Sequence, residues 1–131
     1  YFIMNLFLAY IFLAIYFITG VQGEGYMLVS LVDGKSSRQI ANNGKNTFLF
    51  DDNGTIMCLE AARYVGFSET GEFVLFDFPY FGFDLTLIEG SMSKYEVSLN
   101  GDSLFYLCSD QTICLDKRCS GARAARIIYV K

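Results

Sequence analysis

The stretch Tyr80-Phe-Gly-Phe-Asp-Leu-Thr-Leu87 alternates apolar residues with small or polar ones along its length. Its apolar members, Phe81, Phe83, Leu85 and Leu87, fall on one face of an extended chain, and Gly82, Asp84 and Thr86 fall on the other. This two-residue period predicts a β-strand with one face in a core and the other in water. The chain's only proline, Pro79, directly precedes the stretch.

Short β-prone runs occur on both sides of this strand. They cover residues 26–32, 47–50, 55–59, 63–67, 72–76, 92–99, 103–108 and 122–130. Glycine-containing turns separate them, such as Asn42-Asn43-Gly44 and Asn100-Gly101-Asp102, and nothing predicts more helix than one turn near residues 59–63. Roughly ten short strands predict a compact all-β fold, either an antiparallel sandwich or a closed barrel, with a trefoil-like arrangement as the alternative.

The first 23 residues differ from the rest of the chain because they carry no charge. All 10 basic and 14 acidic residues follow Gly23, and residues 6–21 are almost purely apolar. Such a leader helix is typical of a signal peptide, with small-residue cleavage at Val21-Gln22-Gly23, or of a signal anchor long enough to cross a bilayer. We expect cleavage, which leaves residues 24–131 as one secreted domain; a membrane contact is expected only if the leader is retained.

Four cysteines, Cys58, Cys108, Cys114 and Cys119, follow the leader. An even number in an exported chain predicts two disulfides, and the spacing leaves all three pairings open. We expect no metal site and no cofactor, because there is no C-x2-C pair and no histidine. Without an imidazole, a serine or cysteine nucleophile lacks its usual base, and Asp77, Asp84 and Glu89 read as solvated carboxylates. An enzyme is therefore not expected.

Two surface signals remain. Asn53-Gly54-Thr55 is an N-glycosylation acceptor within turn chemistry, which predicts a glycan at Asn53. Lys117-Arg118 is a dibasic pair between two cysteines; we interpret it as a solvated loop, with a secretory processing site as the alternative. The net charge of −4 with scattered basic residues gives no reason to bind nucleic acid.

Aromatic residues are concentrated between residues 76 and 83. Most aromatic side chains of the chain are expected in the core, where each buries a large area. The sequence from Phe76 to Phe83 is too dense in rings for all of them to be interior. We therefore expect Phe78, Tyr80 and Phe81 as possible contacts to a glycan, because aromatic rings stack on sugar faces.

The order of several segments resembles the β domain of fungal cell-wall mannoproteins. The segments are Tyr26-Met-Leu-Val-Ser-Leu-Val-Asp-Gly-Lys-Ser36, Asp52-Asn-Gly-Thr-Ile56, Gly82-Phe-Asp-Leu-Thr86 and Gly101-Asp-Ser-Leu-Phe-Tyr-Leu-Cys108, with Cys119 before a last apolar strand. The likeness spans residues 25–130 and looks closest to the cysteine-containing domain of the Pir proteins and related small wall proteins. It implies a Cys108–Cys119 bridge, which leaves Cys58 with Cys114.

The resemblance implies a secreted, non-catalytic structural component of a fungal-type cell wall or extracellular matrix. Wall polysaccharide and other wall proteins are the expected partners. The glutamine-containing repeats of the Pir proteins are absent, and the sequence shows no glycolipid-anchor signal, so covalent attachment by either route is not expected. A secreted carbohydrate-binding module and a small secreted effector or toxin are the alternative functions.

Overall fold

The computed structural model describes residues 23–34, 37–40 and 46–131. Within them the chain forms eleven β-strands and is all-β, as the turn-punctuated sequence predicts. The strands are β1 Glu24–Leu31, β2 Ser37–Gln39, β3 Phe48–Asp51, β4 Thr55–Cys58, β5 Arg63–Phe67, β6 Phe73–Phe76, β7 Phe83–Leu87, β8 Lys94–Leu99, β9 Phe105–Leu107, β10 Ile113–Cys114 and β11 Arg123–Val130. The strand pairings among them are antiparallel.

Eight strands form a nearly closed barrel. They follow one another in the order β10-β9-β11-β1-β3-β4-β5-β6. The two ends of this path meet at Glu72 and Cys114, which form an isolated antiparallel bridge, and the N–H of Leu115 donates to the carbonyl of Gly71 at 2.9 Å. Closure leaves few unpaired backbone groups at a sheet edge. Of the predicted arrangements, the barrel is the one that the described residues adopt, and it is nearly closed.

Strand β11 is the centre of the topology. It pairs with β9 through residues 123–125, with β1 through 125–130 and with β8 through 128–130. Ala125, Ile127 and Tyr129 point into the core and are at most 1% exposed. The β7–β8 hairpin extends from this strand, and the N–H of Phe83 donates to the carbonyl of Gly54 at 3.0 Å, so the hairpin is also fixed to the β3–β4 turn.

Aromatic rings fill much of the barrel interior. Phe67 stacks on Phe105 at a centroid distance of 5.7 Å and meets Phe73 edge-on at 5.7 Å. Phe83 joins the same group at 6.5 Å from Phe67. Edge-to-face and offset-stacked pairs of this kind stabilise a core beyond the area that they bury. Core packing therefore accounts for a large share of the aromatic content, as expected from the sequence.

Tyr129 joins β11 to the first strands of the barrel. Its ring is fully buried, and its hydroxyl lies 2.7 Å from the carbonyl oxygen of Gly23 and 2.9 Å from that of Phe48. Burial raises the pKa of Tyr129 to about 12, and the nearby Glu24 carboxylate acts in the same direction. The hydroxyl is therefore a neutral, buried hydrogen-bonding group at any ordinary pH.

The alternating stretch of residues 80–87 contains β7, and the predicted alternation of buried and exposed side chains is confirmed at the centre of this stretch. Phe83 and Leu85 are buried, whereas Asp84 and Thr86 are exposed. Phe81 and Leu87, at the two ends of the alternating stretch, are 59% and 51% exposed.

The predicted leader and the predicted turn at residues 42–44 lie outside the described residues. Among the described residues, no helix is long and apolar enough to cross a membrane.

Candidate functional site

The connection between β6 and β7, residues 77–82, carries the two most exposed aromatic side chains of the described residues. We call it the aromatic loop. Phe78 and Phe81 are 63% and 59% exposed, and Tyr80 is half-buried. Leaving each of these two rings hydrated forgoes about 2 kcal/mol of burial, and exposed rings within one short loop are therefore a candidate interaction surface. The structure therefore brings together the three residues that the sequence analysis selected for glycan contact.

The aromatic loop is anchored to the barrel by a series of ring contacts. Phe76, the last residue of β6, stacks on Tyr80 with centroids 5.5 Å apart and ring planes 11° apart. Phe78 lies 5.5 Å from Phe76, and Tyr80 lies 5.9 Å from the buried Phe83. Phe78 and Tyr80 are thus attached to packed rings, so their positions are set before any ligand arrives, and pre-organisation of this kind lowers the cost of binding.

Gly66 of β5 provides the seat for the stacked pair. A Cβ atom built on Gly66 would lie 2.6 Å from Cε2 of Phe76 and 2.6 Å from Cγ and Cδ2 of Tyr80. Only a residue without a side chain lets the two rings lie directly on the strand backbone. Gly66 is therefore a positioning residue for the aromatic loop, although the sequence analysis did not select it.

We expect Gly66→Ala to displace the Phe76 and Tyr80 rings and to leave the barrel folded. The added methyl meets half-buried side chains that can rotate, so the loss of stability should be about 1–2 kcal/mol. Aromatic NMR resonances of Tyr80 should shift strongly, and urea unfolding should report the stability. Gly101→Ala is the control for the resonances, because its Cβ meets nothing within 4 Å; its positive φ of 86° alone should cost about 1 kcal/mol of stability. Unchanged Tyr80 resonances in Gly66→Ala would contradict the assigned seat.

A row of apolar side chains extends this surface across the barrel wall. Phe76 is opposite Tyr64, Tyr64 is opposite Met57, and Met57 is opposite Leu49. Residues directly opposite one another project to the same face of a sheet, and neighbours of these four along the strands, such as Phe50, Ile56 and Val65, are the ones buried in the core. All four members of the row are half-buried, so the outer wall from β3 to β6 is apolar beside the aromatic loop.

Polar groups border the same surface. The Arg63 Nε atom lies 3.0 Å from Asp77 Oδ1, with the two side chains 53% and 80% exposed. An ion pair as exposed as this one contributes little to stability, about 0–1 kcal/mol. Its donors and acceptors remain accessible beside the rings, which is the combination that a hydroxyl-rich, partly apolar ligand requires.

The carboxylates of Asp77, Asp84 and Glu89 lie at separate places on the surface. Asp77 is paired with Arg63, and Asp84 lies on the wet face of β7 with Oδ1 accepting the N–H of Leu85 at 2.9 Å. Glu89 is exposed in the β7–β8 turn. All three of these carboxylates are exposed. Their surroundings are those of solvated surface groups.

One of the two disulfide pairings implied by the resemblance is formed. Cys108 and Cys119 are bonded, with Cα atoms 5.7 Å apart. The Cys58–Cys114 pairing is wrong for this structure, because both residues carry free, buried thiols. Cys58 ends β4 beside Asn46 and Glu60, whereas Cys114 lies on β10 with its sulfur 3.3 Å from that of Cys108. The fold thus places the Cys114 thiol next to the Cys108–Cys119 disulfide and not next to Cys58.

The other two surface predictions fall on exposed positions. Asn53 lies in the β3–β4 turn, and its Oδ1 accepts hydrogen bonds from the N–H (3.2 Å) and the hydroxyl (2.8 Å) of Thr55. Lys117 and Arg118 are exposed in the loop before Cys119, where Lys117 lies over the Tyr106 ring and Arg118 pairs with Asp116. Glycosylation of Asn53 and cleavage at Lys117-Arg118 remain predictions that these positions permit.

A cleft between β2 and the β9–β10 hairpin is a second candidate site. It has a volume of about 420 Å³ and is lined by residues that include Arg38, Gln39, Phe73 and Gln111. The Arg38 guanidinium donates to the side-chain carbonyl of Gln111 across its mouth. The cleft lacks the exposed rings of the aromatic loop, so it is the weaker candidate for a glycan.

No protein-family model, curated protein or solved structure matches this chain.

Proposed function

We propose that this chain is a secreted, non-catalytic structural protein of a fungal-type cell wall or extracellular matrix, and that it contacts polysaccharide through the aromatic loop. The observation that carries the proposal is the pair of exposed rings, Phe78 and Phe81, beside the stacked Tyr80 and Phe76. A pyranose ring has apolar C–H faces that match such rings and hydroxyl groups that match a polar border.

The surroundings of the loop support this reading. The apolar row from Leu49 to Phe76 lengthens the surface across four strands, as an extended polymer chain would need. Arg63 and Asp77 supply accessible donors and acceptors at its border. The Cys108–Cys119 disulfide supports an oxidising compartment, and the absence of histidine from the sequence supports a non-catalytic role.

The test is retention on insoluble polysaccharides. The protein, expressed through a secretory pathway, is incubated with particles of β-glucan, chitin and mannan, and the bound fraction is measured. We expect retention on at least one polymer and a loss of about tenfold or more for the double variant F78A/F81A, since two stacked rings contribute at least about 1.4 kcal/mol together.

The matched control changes apolar side chains that are exposed elsewhere. Val32 and Leu87 are 50% and 51% exposed, so V32A/L87A removes comparable apolar surface away from the loop. It should bind within about twofold of the unaltered protein, which is the scatter expected of energetically neutral surface sites. If no polymer retains the unaltered protein, or if F78A/F81A binds as well as it does, the proposal is wrong.

A further inference from the structure

The sulfur atoms of three of the four cysteines lie together on the outside of the β9–β10 hairpin. The Sγ atoms of Cys108, Cys114 and Cys119 are all within 4.8 Å of one another, and the Cys114 sulfur is 3.3 Å from that of Cys108. Two of the three sulfurs form a disulfide, and the third is a free thiol. A thiol in contact with a disulfide is the arrangement from which thiol–disulfide exchange proceeds.

The hairpin register explains why the sulfurs meet. Tyr106 is opposite Cys114, and the N–H of Cys108 donates to the carbonyl of Thr112 at 2.9 Å, so Cys108 and Cys114 project to one face as diagonal neighbours. The opposite face carries Phe105 and Ile113 into the core. The loop of residues 115–120 then folds over the cysteine face, held by the disulfide and by the N–H of Ser109 donating to Ser120 at 2.9 Å.

We propose that Cys108, Cys114 and Cys119 form an internal disulfide-exchange site in which Cys114 replaces Cys119 as the partner of Cys108. The Cys114 thiolate attacks the Cys108 sulfur, an S–S bond forms between them, and the Cys108–Cys119 bond breaks. Cys119 departs as a thiolate and takes up the proton that Cys114 released. The number of disulfides and thiols is unchanged, so the step needs neither oxidant nor reductant.

The charge around Cys114 limits how fast this exchange runs. Burial raises the pKa of the Cys114 thiol, and the carboxylates of Glu72, Asp116 and Asp110 raise it further, while Arg118 acts in the opposite direction. Little Cys114 thiolate is present near neutral pH. As long as the pH is below the pKa, each unit by which the pH rises increases the thiolate fraction about tenfold. The exchange should therefore be slow at neutral pH and accelerate as the pH rises.

The exchange would change the reactivity of the covering loop. Cys119 is half-buried, whereas Cys114 is buried, so a released Cys119 thiol is the more accessible of the two to a soft electrophile. The loop would also lose its covalent attachment to Cys108. Cleavage at Lys117-Arg118 leaves residues 119–131 bonded to the rest of the chain while the Cys108–Cys119 disulfide exists, and leaves them without a covalent bond after exchange.

The test is to identify the residue that an alkylating agent modifies in the folded, full-length protein. The protein is held with iodoacetamide at pH 7 and pH 8.5, quenched in acid, and its peptides are mapped without reduction. We expect the label to accumulate on Cys119 together with a Cys108–Cys114 disulfide peptide, at a rate more than tenfold higher at pH 8.5. In Cys114→Ser, Cys119 should stay unlabelled; Cys58→Ser, which removes a thiol distant from the disulfide, should behave as the unaltered protein does.

A second measurement does not depend on any variant. After a brief trypsin digestion of the folded protein at pH 7, which cleaves at Lys117-Arg118, the fragment that begins at Cys119 should remain disulfide-linked in samples acidified at once. It should be released on a non-reducing denaturing gel in samples alkylated at pH 8.5. Label confined to Cys114, or a Cys108–Cys119 peptide that persists unchanged at pH 8.5, would overturn the proposal.

Discussion

Gly25→Ala is expected to lower the free energy of unfolding by about 3 kcal/mol, at the upper end of what overpacking costs. A Cβ atom on Gly25 would lie 2.4 Å from the carbonyl oxygen of Val130 and 2.7 Å from Cε1 of Tyr129. The carbonyl belongs to the backbone of β11, and it cannot move without disturbing the β1–β11 pairing in the middle of the barrel. The clash therefore falls on the strand pair with the longest register.

Urea unfolding followed by far-ultraviolet circular dichroism measures this loss as a lower midpoint. Gly90→Ala is the control, because its Cβ meets nothing within 4 Å and only its positive φ of 83° is strained. That substitution should cost about 1 kcal/mol, the cost of a left-handed alanine. A Gly25→Ala variant no less stable than Gly90→Ala would show that β1 and β11 do not approach as described.

The second large effect is an alkaline loss of stability that depends on Tyr129. Its pKa rises from 10.0 to about 12 in the folded chain, because the buried ring has no water to solvate a phenolate. Below pH 10 both the folded and unfolded states hold the proton, so this contribution to stability is fully present. Between pH 10 and 12 the unfolded state loses the proton first, and about 3 kcal/mol of stability is lost.

The measurement is the free energy of unfolding at several pH values between 9 and 12, taken rapidly after a pH jump. Tyr129→Phe should be about 1–3 kcal/mol less stable at neutral pH, because the carbonyl groups of Gly23 and Phe48 lose a donor. It should also lack the Tyr129 part of the alkaline decline. Tyr26→Phe, at a 37% exposed position, should keep the decline. Equal slopes in the two variants would contradict the role given to Tyr129.

The fold class followed from patterns that depend on local chemistry. The alternation around Phe83 and Leu85 and the glycine turns are set by the two-residue period and by φ preferences, so both are visible in a single sequence. Strands β2 and β10 were missed, because Ser37–Gln39 is polar and Ile113–Cys114 has two residues. These strands form because they pair with β1 and β9, and their own composition does not favour a strand.

The candidate site, like the fold, was predictable from the sequence only where it depends on local composition. The density of rings near Phe78 predicted an exposed aromatic surface, since a small core cannot bury them all. Two features depend on which strands are neighbours, and this cannot be predicted from the local sequence. They are the contact of the Phe76 and Tyr80 rings with Gly66 and the apolar row through Met57 and Tyr64. The Cys108–Cys119 pairing is formed, whereas the Cys58–Cys114 pairing is wrong for a similar reason: hairpin register brings Cys114 to Cys108, and Cys58 lies on the β3–β4–β5 side of the barrel.

The central claim, that the aromatic loop contacts polysaccharide, is tested most directly by an NMR titration of the side-chain aromatic resonances. Soluble oligosaccharides of β-glucan, chitin and mannan are added in turn to the labelled protein. We predict saturable shifts of Phe78, Tyr80 and Phe81 with at least one of them, and none at the Arg38 cleft. Shifts centred on that cleft, or no saturable shift with any of the three sugars, would contradict the account.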